Sequence, residues 1–270
     1  MVYKYSVLMS VYEKEKPEYL EQSILSILQQ TIKTDDFVLV CDGPLTENLE
    51  KVLKRYRDHL HIFRLNHNKG LGTALNAGLT ECKNELVARM DSDDISLPDR
   101  CEKQLKAFEK APQTSILSGT VLEFNDTESE KILGRREVPG SNNEIKKYLR
   151  RRNPFNHPAV MFRRDDVIKS GGYRDKFPLF EDYDLWVRML KRGYQGANLK
   201  DPLVKMRTTP GTYERRGGFE YARVMLDFHR YIRKMGMSTW VDFLCADLPH
   251  AIVCIIPGKL RKKIYHLIRT

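Results

Sequence analysis

The cysteines lack any C-x-x-C pair and any even-numbered grouping: Cys41, Cys82, Cys101, Cys245 and Cys254 are five and widely spaced. That pattern fits neither a zinc site nor a disulfide framework, and the thiols are expected to be reduced and buried. No apolar run approaches the roughly 20 residues that a bilayer span requires. The most apolar tract, 240–256, is interrupted by Asp242, Asp247, Pro249 and His250. A basic, apolar, small-residue leader is also missing, because Met1-Val2-Tyr3-Lys4 runs straight into the strand-like Tyr5-Ser6-Val7-Leu8-Met9-Ser10-Val11; a cytoplasmic protein is expected. Neither an internal repeat nor a low-complexity tract occurs.

Acidic residues are in deficit, 36 Asp and Glu against 46 Lys and Arg, for a net charge of +10. Such a surface attracts nucleic acid, an anionic membrane or a phosphate-bearing substrate. A nucleic-acid binder would carry an RNP-like aromatic motif or a basic recognition helix; neither is present, and no nucleic-acid partner is expected. The excess is clustered at Lys146, Lys147, Arg150, Arg151 and Arg152, and again at Lys259, Arg261, Lys262, Lys263 and Arg269. With 41% apolar residues in 270, the chain can build a substantial core.

The first hundred residues alternate β-branched runs with amphipathic stretches, the pattern of β-α-β units around a mostly parallel sheet. Strands are expected at 5–11, 37–41, 61–65 and 86–90. Helical spacing appears in Leu20, Ile24, Ile27 and Leu28 behind Pro17, in Leu49, Val52, Leu53 and Tyr56, and in Leu71, Ala74, Leu75 and Leu79. Ser96-Leu97-Pro98-Asp99 predicts a helix start capped by Ser96, running to about Lys110. Surface turns are expected at 125–131 and 140–143.

A doubly wound sheet binds its ligand beyond the carboxyl ends of its strands. Polar groups stand at four such ends: Tyr12-Glu13, Asp42-Gly43, the Asn66 to Gly72 run containing Lys69, and Asp91-Ser92-Asp93-Asp94. Each is also an ordinary turn former, but turns alone do not explain all four in order. In an extended ending, Asp91 and Asp93 point to one side and Asp94 away. Two carboxylates on one side repel unless a cation lies between them, and a hard ion such as Mg²⁺ or Mn²⁺ takes oxygen ligands from carboxylates and substrate phosphates. In the second half, Leu185, Trp186, Met189 and Leu190 define an apolar helix face that also carries Asp182, where partial desolvation would favour a general base. Asp184 is expected to pair with Arg188 on the surface.

These residues together resemble the family 2 glycosyltransferases: Ser6 to Tyr12, Asp42, Asn68 through Gly78, the acidic run, and Glu181-Asp182 followed by Leu185-Trp186 and Arg188. The resemblance implies the GT-A fold, a Rossmann-like mostly parallel sheet with helices on both faces, and inversion at the anomeric carbon. It divides the chain into a catalytic domain, 1–215, with a nucleotide-sugar half (1–95) and an acceptor half (96–215), and a helical extension, 216–270. Asn156-His157-Pro158, Gly171-Gly172-Tyr173 and Arg215-Arg216-Gly217-Gly218 are similar to bacterial enzymes that build O-antigen, capsule or exopolysaccharide units on undecaprenyl diphosphate. By that resemblance Tyr12, Glu13, Asp42, Lys69, Asn76, Asp91 and Ser92 hold a UDP-sugar. Asp93, with Asp91, ligates Mn²⁺ or Mg²⁺. Asp182 takes the acceptor proton beside Glu181, and His157 and Trp186 shape the acceptor side. The expected reaction moves a hexose, glucose or galactose, to a lipid-diphosphate-linked sugar such as GlcNAc-diphosphate-undecaprenol.

One departure stands out. Family members often complete the metal site with a histidine after the base-bearing helix, yet no histidine lies between His157 and His229. Either the metal has fewer protein ligands or arginines take over part of the charge neutralisation, and Arg207, Arg215 and Arg216 are assigned to a diphosphate. The tail from Trp240, with its basic cluster, fits a segment lying on the cytoplasmic face of the inner membrane; a helix packed on the catalytic domain or a second subunit is the alternative.

Overall fold

The computed structural model describes residues 4–125, 131–208 and 217–256. Four strands, β1 (Tyr5–Val11), β2 (Asp36–Cys41), β3 (His61–Arg64) and β4 (Leu86–Asp91), pair in parallel in the order 3-2-1-4. The β1, β2 and β4 runs are buried almost throughout because both faces are covered, and they are apolar except at Ser6, Ser10, Asp36, Arg89 and Asp91. On one face Leu8, Val38, Val40 and Val87 share a core with α3 (Leu71–Glu81). On the other, Val7, Met9, Leu39 and Ala88 pack with α1 (Pro17–Leu28), α2 (Glu47–Tyr56) and α4 (Arg100–Lys110). Helix α3 approaches closely through Gly78, where a Cβ would lie 2.4 Å from Leu8 Cδ1 and 2.5 Å from Val40 Cγ2.

The second half changes direction. With β5 (Ile95–Ser96), β6 (Thr114–Phe124), β7 (Ile132–Arg136), β8 (Met161–Arg163) and β9 (Gln195–Arg207), the sheet reads β3-β2-β1-β4-β8-β6-β9-β5, and β7 pairs with β6. Strand β8 runs antiparallel to both β4 and β6, while β6 and β9 are parallel. Buried Arg100 supports this junction by donating to the carbonyls of Arg89, at 2.7 Å, and Val160, at 3.2 Å. The other helices of this half are α5 (Asn142–Tyr148), α6 (Arg164–Lys169) and α7 (Glu181–Lys191), and α8 (Phe219–Lys234) follows β9. Phe228 of α8 stacks on Phe177, Phe180 and Tyr183 at centroid distances of 5.3, 5.1 and 4.7 Å, so the residues after β9 share the catalytic core. No helix among the described residues is long and apolar enough to cross a membrane.

Three local expectations change. Ser96 does not cap α4; it lies in β5 opposite Val204, and the Cys101 N–H at the helix start donates instead to Gln30 Oε1 at 3.0 Å. The cap comes from Gln30, two residues past the end of α1 and far away in sequence. Residues 140–143 are not simply a turn, because Ser141 and Glu144 form a capping box that opens α5. The turn expected at 125–131 lies largely outside the described residues.

The third change concerns Asp184 and Arg188, which pair at 2.8 Å as expected but in the interior, with side chains 1% and 5% exposed. Arg188 also donates to the carbonyls of Ser170 and Gly172, so the pair braces the Gly171-Gly172 turn. The reason is tertiary: the helix face carrying Asp184 is covered on all sides. Replacing Asp184 with Ala would leave a buried guanidinium without its counter-ion, and we expect a loss of about 3–5 kcal/mol of stability in urea unfolding.

Candidate active site

The parallel strands end in register: Val11 lies opposite Cys41, Cys41 opposite Arg64, and Ser10 opposite Asp91. The polar groups that follow these ends therefore line one edge of the sheet, and the edge has two parts.

The first part is the acidic turn. The chain leaves β4 at Asp91, so the two-residue alternation stops there and Asp94 does not point away. Carboxylate oxygens of Asp91, Asp93 and Asp94 all lie within 4.8 Å of one another. This all-oxygen donor set suits a hard divalent ion. Each acid has a distinct environment. Both oxygens of Asp91 accept from the guanidinium of Arg89, two residues back on the same face of β4 and fully buried. Asp94 Oδ1 accepts the Arg207 N–H at 2.8 Å. Burial, then the charges of Asp91 and Glu15, push the Asp93 carboxyl up to about 7. Burial, then Asp93 and Asp91, push Asp94 well upward as well. Ser92 donates to Glu15 Oε2 at 2.6 Å.

Arg207, expected on a diphosphate, folds inward. Its Nε donates to the Asp93 carbonyl at 2.8 Å and Nη2 to Gln22 Oε1 at 2.7 Å, with the guanidinium 3.8 Å from the Tyr19 ring centroid. It shapes the acidic turn from behind. Arg215 and Arg216 lie outside the described residues.

Beside this turn, Asp42 accepts the backbone N–H groups of Lys69 at 2.7 Å and Gly70 at 3.0 Å, which locks the loop opening α3. Gly43 permits the approach: it sits at φ 91°, and a Cβ would come within 2.7 Å of Asn68 N. Tyr12, Glu13 and Lys69 are exposed around this locked loop.

The second part joins α3 to residues of the second half of the chain. Asn76 clamps Tyr173, donating to its carbonyl and accepting its N–H, both at 2.8 Å. The Tyr173 hydroxyl meets His157 Nε2 at 3.0 Å. Burial, reinforced by nearby Arg89, holds the His157 pKa well below its usual value, so the imidazole is neutral. Burial raises the Tyr173 pKa, opposed by the charge of Arg89 and reinforced by those of Asp182 and Asp91. Asp182, half-buried in the first turn of α7, accepts from Asn153 Nδ2 at 2.6 Å. Burial raises the pKa of neighbouring Glu181, which accepts the Leu179 N–H at 3.0 Å. Trp186 is 0% exposed and packs behind Phe155 and His157, so it acts on this region only through them.

Sequence reasoning missed Arg89, Glu15, Asn153 and Gln22. Arg89 alone had a local signal: a charge two residues before Asp91 on a buried strand points to the same face.

The model of "Glycosyl transferase family 2" matches residues 6–172. The amylovoran biosynthesis glycosyltransferase AmsE of Erwinia amylovora is 39% identical over 97% of both chains. This chain belongs to glycosyl transferase family 2. A UDP-Gal:alpha-D-GlcNAc-diphosphoundecaprenol beta-1,3-galactosyltransferase of Escherichia coli is 38% identical over 97% of this chain and 95% of its own. Among solved structures, the mannosyltransferase PcManGT from Pyrobaculum calidifontis, in complex with GDP-Man and Mn²⁺, superposes with a TM-score of 0.64 at 17% identity, covering 86% of this chain and 65% of its own. S. aureus TarS 1-349 with UDP-GlcNAc superposes at 0.62 and 20% identity over 96% of this chain and 72% of its own. These two establish the GT-A fold expected for this family 2 chain.

A pH dependence follows from the acidic turn. Without metal, the folded protein keeps a proton on Asp93 up to about pH 7, whereas an unfolded aspartate releases it near 4. The metal-free fold thus loses stability as pH rises through that window, and a divalent ion must displace the proton to bind. We expect Mn²⁺ affinity, measured by titration calorimetry, to fall up to about tenfold per pH unit below 7, and the Mn²⁺-induced rise in Tm to be larger at pH 8 than at pH 6.

Proposed function

We propose that this family 2 enzyme transfers a hexose, galactose or glucose, from a UDP-sugar to a lipid-diphosphate-linked saccharide such as GlcNAc-diphosphate-undecaprenol, with inversion, in the synthesis of a bacterial surface polysaccharide. The observation that carries it is the cluster of three carboxylates at the end of β4 together with Asp182, a half-buried carboxylate in the first turn of α7 held by Asn153. The galactosyltransferase of like length, 38% identical, supports the choice of donor and acceptor.

In this scheme Tyr12, Glu13 and Lys69 bind the uridine side of the donor against the loop that Asp42 locks, and Asp91 and Ser92 face the ribose and diphosphate. Asp93 is the principal metal ligand, with Asp91 and Asp94 beside it. A bound Mn²⁺ or Mg²⁺ supplies electrostatic neutralisation of the departing diphosphate. Asp182 removes the proton from the acceptor hydroxyl as that oxygen attacks C1; the C1–O bond to UDP breaks, and UDP leaves with the electron pair. Asn153 orients the Asp182 carboxylate, and Glu181 borders the acceptor. Neutral His157, held by the Tyr173 hydroxyl, fills the wall behind the reacting sugar without adding positive charge. Arg215 and Arg216 are assigned to a diphosphate. The enzyme works peripherally at the membrane surface that carries its acceptor, on the cytoplasmic side.

Incubation with a panel of UDP-sugars, Mn²⁺ and a synthetic GlcNAc-diphosphate-lipid should give a single hexose addition, read by product mass and linkage. Asp182→Asn should lower kcat by about 10²–10⁴-fold with UDP affinity unchanged. Absence of both product and UDP release with every donor would overturn the proposal.

A further inference from the structure

The last described stretch comprises Trp240–Asp242, a π-helical turn Phe243–Asp247, and Leu248–Ile255. Its polarity is inverted relative to an ordinary surface helix, which turns charge to solvent. The acids face inward: Asp242 is buried against Arg150 Nε at 2.7 Å and Arg151 Nε at 2.8 Å, and Asp247 is buried against His229 Nδ1 at 3.1 Å. The outward side carries Trp240, Val241, Leu244, Leu248, Ile252 and Ile255, and no charged side chain is exposed between 240 and 256. Trp240 is 63% and Ile252 58% exposed. Phe219, 71% exposed, joins the far end, where the Gly218 N–H donates to the Cys254 carbonyl at 2.9 Å. An exposed apolar stripe of this kind marks an interaction surface.

The surrounding charge selects the occupant. Arg150 and Arg151 remain partly exposed where they meet Asp242, Arg152 is exposed beside them, and the Arg233 guanidinium lies 3.3 Å from the centroid of the Trp240 ring. In the sequence directly after the stretch, residues 257–270 contain Lys259, Arg261, Lys262, Lys263 and Arg269 and no acid. A second copy would set this basic border against itself; anionic headgroups would neutralise it. At 1.5 Å per residue, the stretch is about 24 Å long, short of a bilayer core of about 30 Å, so it would lie flat.

We propose, resting on the transferase reading above, that this stripe is the surface by which the enzyme docks on an anionic bilayer, and that docking orients the acceptor side of the site. The same short segment joins the two: Arg150 and Arg151 hold Asp242 on the inner side of the stretch that carries the stripe, and Asn153, two residues on, holds Asp182. With the stripe in the headgroup layer, the arginines at 150–152 face lipid phosphates, and a diphosphate-linked acceptor embedded in that bilayer reaches Asp182 from the same side.

The test is sedimentation of the full chain with phosphatidylcholine vesicles, with and without phosphatidylglycerol, together with transfer to a short-chain, water-soluble GlcNAc-diphosphate acceptor. Wild type should sediment with anionic vesicles. Trp240→Glu/Leu244→Glu/Ile252→Glu should abolish this, and a serine version at the same positions, which adds no charge, should weaken it by at least about tenfold. Lys259→Ala/Lys262→Ala/Lys263→Ala should weaken only anionic binding, by roughly 100-fold. All three variants should keep wild-type rates on the soluble acceptor. Wild type that ignores anionic vesicles, or stripe variants that bind like wild type, would overturn the docking surface. So would a wild-type dimer in ultracentrifugation that the stripe variants split, with no vesicle binding by either. Stripe-dependent binding without transfer to any acceptor would leave the surface standing and sink the transferase reading.

Discussion

The crowding of three carboxylates at the end of β4 is the constraint around which the rest of the site is arranged. Their oxygens lie within 4.8 Å of one another at the edge of a core, where like charges repel strongly and solvent screens them little. Two cations relieve this from behind. Arg89 sits on both oxygens of Asp91, and Arg207 holds the turn through the Asp93 carbonyl and its own N–H on Asp94. What remains uncompensated is centred on Asp93, whose carboxyl is pushed up to about 7, and the all-oxygen cluster suits a divalent cation that would complete that balance.

The same balance reaches the acceptor half. Burial first, and the charge of Arg89 second, hold the His157 pKa well below its usual value beside the Tyr173 hydroxyl, and Arg89 also acts on Tyr173. One buried guanidinium thus contacts the acidic turn through Asp91 and also lies within electrostatic range of His157 and Tyr173. The missing histidine after α7 acquires a physical context here: arginines neutralise part of the acidic turn by contacting the acids and their backbone, as Arg89 and Arg207 do.

Arg150 to Asn153 have a comparable linking role. They tie Asp242 in the C-terminal helical stretch to Asp182 at the start of α7, while α8 packs Phe228 into the aromatic cluster beneath that helix. The residues after β9 are part of how the start of α7 is held.

The amino-acid sequence by itself determined the alternation of strands and helices in the first hundred residues, because apolar periodicity follows directly from backbone geometry. It placed the four parallel strands to within one residue at each end; for β1, β2 and β4 this is because runs buried on both faces have abrupt polar boundaries. It also determined the order of polar strand ends and the family to which they belong. Tertiary structure decided whatever depends on partners distant in the chain. Gln30 displaced Ser96 as the cap of α4, burial turned the Asp184–Arg188 pair from a surface contact into an internal brace, and the turn after Asp91 brought Asp94 in beside Asp93. It also placed Asp242 and Asp247 inside and the apolar face of 240–255 outside. Local pattern carries none of these, because burial and charge compensation are set by what packs against a residue from elsewhere in the fold.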